Sequence, residues 1–457
     1  MRTSSTRSRR KLTKWEWALL IAPCLVLTFF SVKIWREVVS PSMTTSLQGF
    51  TALRYSPDGQ FLVGIALTPQ QSDTTGRGVT TQQQSEMVLW NAWQKKLQFR
   101  RKLDHEPAGL PVFSNEGFLR LNTGTAFVPP RAWQSWDNVT TQEQKPPLAA
   151  AAPLIRPSWQ SVYPVNVDGF SWGHAPISSA SSSTLEVRIY EGQNMMDVAE
   201  GVSGTALFSI PLPAAQTDMN EGLSKNEFFQ RKNLLIRHLR SKQGNENTVE
   251  IWDIARGKRQ KSHSIGNLSI RTLSSDGRLA LATPFYNGTK KPKQSWWERN
   301  FFNNDVVLLD VSTGRRLKTW KAVKVSSTLI FSPDAKRVLL GGDSFTTNAK
   351  THNSFFQLLD IQSGKVLWTN TFDNFFWSNA AFSPDARLIA TIAVIEQELI
   401  LKSSGAIILW DARTGKHLMS CGDTNKSTLA LTFSPDSRTL AYSEGNKIRF
   451  VDVGNLK

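Results

Sequence analysis

The sequence predicts an all-β fold made by repeating one supersecondary unit, and three observations carry that expectation. A phrase of turn residues recurs, YSPDG at 55–59, FSPDA at 331–335 and 382–386, and FSPDS at 433–437. A second phrase closes four of the units: IWDIARGK at 251–258, LLDVSTGR at 308–315, LLDIQSGK at 358–365 and ILWDARTGK at 408–416. Apolar stretches flank the first phrase on both sides, as in FTALRYSPDGQFLVGIAL at 50–67. A fixed phrase recurring about every 50 residues marks an array of one unit. Within that phrase Pro sets φ at the first corner, Asp bonds back to the backbone and Gly, where present, takes the φ > 0 position, so it is the tight turn of a β-hairpin. The second phrase reads as a third strand ending in Asp, followed by a turn with Gly in the left-handed region.

Hairpin, third strand and turn together resemble the unit of the WD-repeat β-propeller family, over about residues 50–453. The resemblance implies a ring of seven or eight four-stranded blades. Between 100 and 246 the phrases fade; there the sequence proposes hairpins at 112–121, 162–172 and 228–239, third strands at 184–190 and 248–254, and AWQSWD at 132–137 as the third strand of the second unit. The family pattern is partly kept. Trp-Asp occurs at Trp252-Asp253, Trp410-Asp411 and Trp136-Asp137, and is replaced by Trp90-Asn91, Leu309-Asp310, Leu359-Asp360 and Val451-Asp452. The Gly-His pair that usually opens a repeat occurs once, at Gly173-His174. The chain therefore looks like the degenerate, prokaryotic-type members, in which apolar packing between blades replaces the side-chain network at about 25 cal/mol per Å² removed from water.

The last unit ends after its third strand, so residues 42–49, ahead of the first hairpin, are placed to supply the missing outer strand and close the ring. The domain reading is a basic cytoplasmic tail at 1–14, a transmembrane signal anchor at 15–35, a linker and ring-closing strand at 36–49, and the propeller at 50–457.

The anchor segment, WEWALLIAPCLVLTFFSVKIW at 15–35, carries no charge between Trp17 and Val32. Its 21 residues match the ~20 needed to cross a ~30 Å hydrocarbon core. Trp15, Trp17 and Trp35 stand at its ends, where aromatic belts belong, and Lys33 can snorkel. Arg2, Arg7, Arg9, Arg10, Lys11 and Lys14 precede it with no acid among them. That bias puts the N-terminus in the cytoplasm and the propeller on the exported side, which in a bacterium is the periplasm or the cell exterior. A buried core helix fits poorly, since a propeller has no place for one. A cleaved signal peptide is disfavoured by Pro41 after the best cleavage position and by the length of the apolar run.

Charge and cysteine usage bound the partners. The net charge is +17, of which +6 lies in residues 1–40 (eight Lys/Arg against two Glu) and +11 in the remainder. An acidic neighbour is implied: a protein partner or an anionic lipid surface. Nucleic acid is not expected, because the domain is exported and no nucleic-acid motif appears. Cys24 lies in the apolar segment and Cys421 in a turn, so they do not pair. Gln142 opens the one low-complexity bridge, QEQKPPLAAAAPLIRP at 142–157, read as an insertion between blades.

For chemistry the sequence is poor. No GxSxG, phosphate loop, dinucleotide fingerprint or zinc signature is present, and no cofactor or metal is expected. Asp58, Asp334, Asp385 and Asp436 share one turn position, and Asp253, Asp310, Asp360 and Asp411 share one strand end; repetition at equivalent places reads as structure. Loop length says more about function. Insertions at 68–85, 284–304, 343–353 and 394–404 all join second to third strands, on the face opposite the hairpin turns, and long loops on a rigid scaffold are where binding lives. Two segments there are unusual in content, the first mixing aromatics with base and the second rich in aromatics. NGTKKPKQSWWERNFFNN at 287–304 holds Lys290, Lys291, Lys293, Arg299, Trp296, Trp297 and Phe301, and FDNFFWSN at 372–379, read as a link between blades, holds Phe375, Phe376 and Trp377. These ten are the candidate partner-binding residues, set against the alternative that the aromatics fold back on their own blades. The expected function is a membrane-tethered, non-catalytic interaction scaffold. The alternative is a quinoprotein-like propeller, an enzyme, electron carrier or envelope-assembly factor, because LLDIQSGKVLWTN at 358–370 also resembles the tryptophan-docking repeat of those proteins.

Overall fold

Burial grades the strands of each repeat. Second and third strands are near-continuous apolar runs, such as LALATP at Leu279–Pro284 and VVLLD at Val306–Asp310, and are buried. Fourth strands are polar and exposed, as in KRQKSHSIG at Lys258–Gly266. A strand covered on both faces needs apolar residues at every position, while one at an edge does not. The computed structural model describes residues 42–44, 49–67, 85–94 and 96–103, the strands between 112 and 231, and residues 233–240, 246–284, 305–320, 328–345, 352–373, 375–395, 404–423 and 430–456. The tail at 1–14, the segment at 15–35 and the connection at 285–304 lie outside the described residues. No helix among the described residues is long and apolar enough to cross a membrane.

The described strands form eight sheets of four, seven of them in chain order, and antiparallel wherever the register is described. Sheet 1 is Gly49–Tyr55, Phe61–Leu67, Ser85–Asn91 and Lys96–Leu103. Sheet 2 is Val112–Phe113, Phe118–Asn122, Trp133–Asp137 and Glu143–Gln144, and sheet 3 is Trp159–Pro164, Leu185–Tyr190, Met195–Glu200 and Ala206–Pro211. Sheet 4 is Asn226–Arg231, Leu234–Leu239, Asn247–Asp253 and Lys258–Gly266; sheet 5 is Leu268–Leu273, Leu279–Pro284, Val306–Asp310 and Arg316–Trp320. Sheet 6 is Thr328–Phe331, Arg337–Phe345, His352–Asp360 and Val366–Asp373; sheet 7 is Phe375–Phe382, Leu388–Ile395, Ser404–Asp411 and His417–Cys421. Sheet 8 takes Leu431–Phe433, Thr439–Glu444 and Lys447–Asp452 from the end of the chain, and its outermost strand is Ser42–Thr44 from the start.

Contacts between sheets arrange them in a ring. The first strands of sheets 5, 6, 7 and 8 touch in succession, and the first strand of sheet 8 touches that of sheet 1, which makes the first strands innermost. Apolar clusters fill the junctions: Ile251 and Ile270 between sheets 4 and 5, Leu308 and Leu340 between 5 and 6, Phe356 and Phe382 between 6 and 7, Leu409 and Tyr442 between 7 and 8, Phe50 and Ile448 between 8 and 1, and Met87 and Phe113 between 1 and 2. Between sheets 3 and 4, Phe208 stacks on Trp252 with centroids 6.2 Å apart. Successive four-stranded meanders packed face to face, with the last on the first, are a β-propeller. Among the described residues eight sheets are seen, the larger of the two blade counts expected.

Four details differ from the sequence reading. A hairpin at 162–172 and a third strand at 184–190 were expected, but Trp159–Pro164 pairs with Leu185–Tyr190, which is the second strand of sheet 3 and is followed by Met195–Glu200. No turn phrase marks that hairpin, and an alternating run such as LEVRIY fits either place. The bridge at 142–157 begins with a short fourth strand, Glu143–Gln144. Cys421 ends the strand His417–Cys421 instead of sitting in a turn. Phe375, Phe376 and Trp377 lie inside the strand Phe375–Phe382, so only residue 374 links sheets 6 and 7. Aromatic residues favour extended, half-buried backbone, and here that preference carries the strand through what reads as a loop.

Candidate interaction faces

The first-to-second turns are built on a serine. Ser56 Oγ donates to Asp58 Oδ1 at 2.5 Å and accepts the Phe61 N–H at 2.8 Å, while Asp58 Oδ1 also accepts the Gln60 N–H at 3.0 Å. The same pair recurs as Ser274–Asp276, Ser332–Asp334, Ser383–Asp385 and Ser434–Asp436, with hydroxyl-to-carboxylate distances of 2.5 to 2.6 Å. Each serine thus holds both the acid and the first N–H of the next strand. The following residue has positive φ in every copy: Gly59 and Gly277 at 75° and 73°, but also Ala335, Ala386 and Ser437 at 53°, 60° and 62°. The Ser274–Asp276 copy has Ser275 where the others have Pro, so the Pro-centred phrase passed over it; S-x-D followed by a small residue is the signal that finds all five. In Asp385, burial acts to raise the pKa, but the Ser383 hydroxyl and the Arg387 donors outweigh it and hold the carboxyl below its usual range. Asp276 and Asp334 are lowered in the same way.

The third-to-fourth turns use the strand-end acids. Asp310 Oδ1 accepts from the Ser312 N–H, the Ser312 hydroxyl and the Thr313 N–H at 2.8 to 3.0 Å. Asp360 takes the Ser363 N–H and hydroxyl, Asp411 the Arg413 and Thr414 N–H groups and the Thr414 hydroxyl, and Asp253 the Arg256 N–H and guanidinium. In Asp360 the Ser363 hydroxyl and N–H are the main causes of a lowered pKa. Asn91 makes the equivalent bond to the Gln94 N–H, which explains how sheet 1 dispenses with the acid.

The turns also tie sheet to sheet. Ser275 Oγ donates to the Pro333 carbonyl at 3.0 Å, Arg337 Nη2 to the Ala386 carbonyl at 2.8 Å, and the Asp385 N–H to Ser437 Oγ at 3.0 Å. A β-carbon at Gly59 would meet Pro435 at 3.4 Å. Nearby, Trp320 Nε1 donates to the Gly364 carbonyl at 3.1 Å and Trp368 Nε1 to the Ala412 carbonyl at 3.2 Å. Gly415 has φ 71°, and a β-carbon there would fall 2.6 Å from the Trp368 ring. Only glycine allows that approach. From sheet 5 round to sheet 8 this face is therefore a collar of turns bonded to one another, and the Gly59 turn of sheet 1 packs beside Pro435.

The opposite face is different. An antiparallel meander puts its second-to-third connections at the end away from its hairpin turns, and residues 68–84, 285–305, 346–351 and 396–403 all connect there. Leu268 pairs with Pro284, at the mouth of the 285–305 connection. Phe375 pairs with Ile395, which pairs with Ser404, so Phe375 stands level with the mouth of 396–403. Lys290, Lys291, Lys293, Trp296, Trp297, Arg299 and Phe301 belong to the connection at 285–305 and lie outside the described residues.

Sheet 4 carries a charged interior that the sequence reading did not single out. Arg237, 1% exposed, donates from Nη1 to Glu250 Oε2 at 3.3 Å and to the Pro211 carbonyl at 3.1 Å. Glu250 also accepts from Trp252 Nε1 at 3.2 Å and from Arg259 Nη1 at 2.8 Å. Burial lowers the Arg237 pKa to about 10, against the raising effect of Glu250. His238, fully buried, is pushed down to about 4, chiefly by burial. A lone charged residue inside an apolar strand, as in LLIRHL, is the signal that finds this pair.

Among the described residues no group of three or more His, Cys, Asp or Glu side chains is placed to hold a metal. No family model matches the chain, and no curated protein matches it. Among solved structures it is similar to the C-terminal WD40 domain of Sif2, at 10% identity over 90% of this chain and 98% of that one, with a TM-score of 0.47. It is also similar to a structure described as the eukaryotic initiation factor, at 14% identity over 83% and 89%, with a TM-score of 0.44. The propeller architecture rests on the contacts between sheets, and neither likeness bears on function.

Proposed function

We propose that the chain is a membrane-tethered, non-catalytic WD-repeat-type propeller that presents its long second-to-third connections to a protein partner. One observation supports this above the rest: the recurring acids and serines of the turn face are engaged in bonds within and between sheets, while the variable connections open on the other face. Rigid scaffold below and divergent loops above is the arrangement of a binding face. In the proposed topology residues 15–35 span the bilayer, residues 1–14 remain in the cytoplasm and the propeller is exported. The alternative, a quinoprotein-like propeller, draws on the docked Trp368, a device that holds sheets together in either class.

The test separates the two halves of the aromatic patch. Trp296→Ser, Trp297→Ser and Phe301→Ser together should abolish partner capture from solubilised membranes and leave the melting temperature unchanged, since aromatic anchors dominate interface energy. Phe375→Ser, in the innermost strand of sheet 7, should lower the melting temperature. Unchanged capture by the triple variant would overturn the reading. For topology, protease added outside sealed spheroplasts should digest the propeller, and its full protection beside an accessible N-terminal tag would contradict export.

A further inference from the structure

The outer edges of sheets 4 and 5 form a basic surface away from the long connections. The fourth strand of sheet 4, Lys258–Gly266, exposes Lys258, Arg259, Gln260, Lys261 and Ser262 in succession, and it contains no acid. The neighbouring fourth strand, Arg316–Trp320, contains none either, and Arg315 and Arg316 are exposed beside it. The two edges are continuous. A β-carbon at Gly314 would lie 2.8 Å from His263, and one at Gly266 would lie 3.5 Å from Arg316 Nη2. The acids of the underlying strands are already engaged: Glu250 by Arg237 and Arg259, Asp253 by Arg256 and Gln260, Asp310 by Ser312 and Thr313. Arg259 is held by Glu250, and Lys258, Lys261, Arg315 and Arg316 present their charge to what approaches from solution.

We propose that this edge binds an acidic peptide segment in extended form, added beside Lys258–Ser262 as a further strand of sheet 4. Among the described residues Lys258–Gly266 is hydrogen-bonded on one side only, to Asn247–Asp253, so its outer side offers backbone donors and acceptors. Strand addition takes affinity from those bonds and selectivity from alternate side chains, here acids facing Lys258, Lys261 and Arg316. A lipid surface fits less well, which rests on the tethered topology proposed above: the chain enters the ring at sheet 8, and sheet 4 is four places away in either direction.

The test uses the full chain in zwitterionic nanodiscs and a fluorescein-labelled alternating Glu-Val peptide, read by anisotropy. Binding should weaken about tenfold or more in the double variant Lys258→Glu, Lys261→Glu, with no change in melting temperature. Reversal of Lys96 and Lys102 at the edge of sheet 1 should leave it unchanged. A peptide N-methylated at alternate residues, which keeps the charge and loses backbone donors, should also bind about tenfold more weakly or worse. Four results would overturn the proposal: no binding of the peptide, equal binding by the double variant, equal binding of the N-methylated peptide, or stronger binding of phosphatidylserine vesicles or polyphosphate at the same edge. None of them touches the reading of the long-connection face, which is tested by variants at 296–301.

Discussion

The two faces of the ring are made from the same strands and obey different rules. On the turn face five serine-aspartate pairs repeat with nearly the same distances, and their backbones bond to the next sheet. On the other face the connections range from the two residues of 445–446 to the twenty-one of 285–305. Repetition in the chain marks what every sheet must do to stand beside its neighbour. Divergence marks what only one sheet does. The conserved look of an acid within a repeat is thus a sign of turn chemistry, and the irregular segments are where a partner is to be sought.

Breaking the turn face should cost most where it joins sheets. Trp368→Ala removes the ring packed on Gly415 and the bond to Ala412, and should destabilise by about 3 kcal/mol, as large-to-small changes at packed sites do. Denaturant unfolding checks this. The next largest effect is one of pH and belongs to the sheet 4 interior. His238 has a folded pKa of about 4 against 6.5 in the unfolded chain, so the unfolded state binds more protons between those values. Stability should fall on the order of 3 kcal/mol as pH drops through that window. His238→Gln should flatten that slope in melts taken from neutral pH to pH 4. Asp276, Asp334, Asp360 and Asp385 act lower down: their folded pKa values are depressed, so their contribution is complete above about 4 and is lost as pH falls further.

Within a single turn the effects are smaller. Ser383→Ala removes both the donor to Asp385 and the acceptor for the Leu388 N–H, and should cost about 2 kcal/mol. Ala386→Gly should instead stabilise by about 0.5 to 1 kcal/mol, because a left-handed Ala is strained and Gly is not. The two changes sit three residues apart and are expected to move the melting temperature in opposite directions, which separates hydrogen bonding from backbone strain in the same turn.

Much of the fold was legible because the turns are written in the chain. Pro, Asp and Gly gave the hairpins of sheets 1, 6, 7 and 8, and the short phrase at 42–49 was placed beside the last sheet by counting strands. Sheet 3 was not legible, since its strands carry no turn phrase and LEVRIY reads equally well in two positions. Nor were the serine hubs: a hydroxyl gains its role only from the carboxylate and N–H that folding brings to it. Arg237 and Glu250 are thirteen residues apart and meet across paired strands, a relation fixed by register. At the candidate binding surface, Phe375–Trp377 read as loop because aromatics in a polar setting suggest exposure, while the pairing of Phe375 with Ile395 decides for strand.

The least perturbing change is also the one that bears on function. Replacing 287–302 by a short Gly-Ser link should alter stability by no more than about 0.5 kcal/mol, because surface connections tolerate change and closure entropy varies slowly with length. Its effect on binding should be large. The most direct measurement places a photo-crosslinking residue at Lys291 in that connection and, in a separate variant, at Arg387 on the turn face, and compares their adducts in intact membranes. The account predicts a discrete partner adduct from position 291 and none from position 387. An adduct from 387 with none from 291 would contradict it and make the collar of turns the working face.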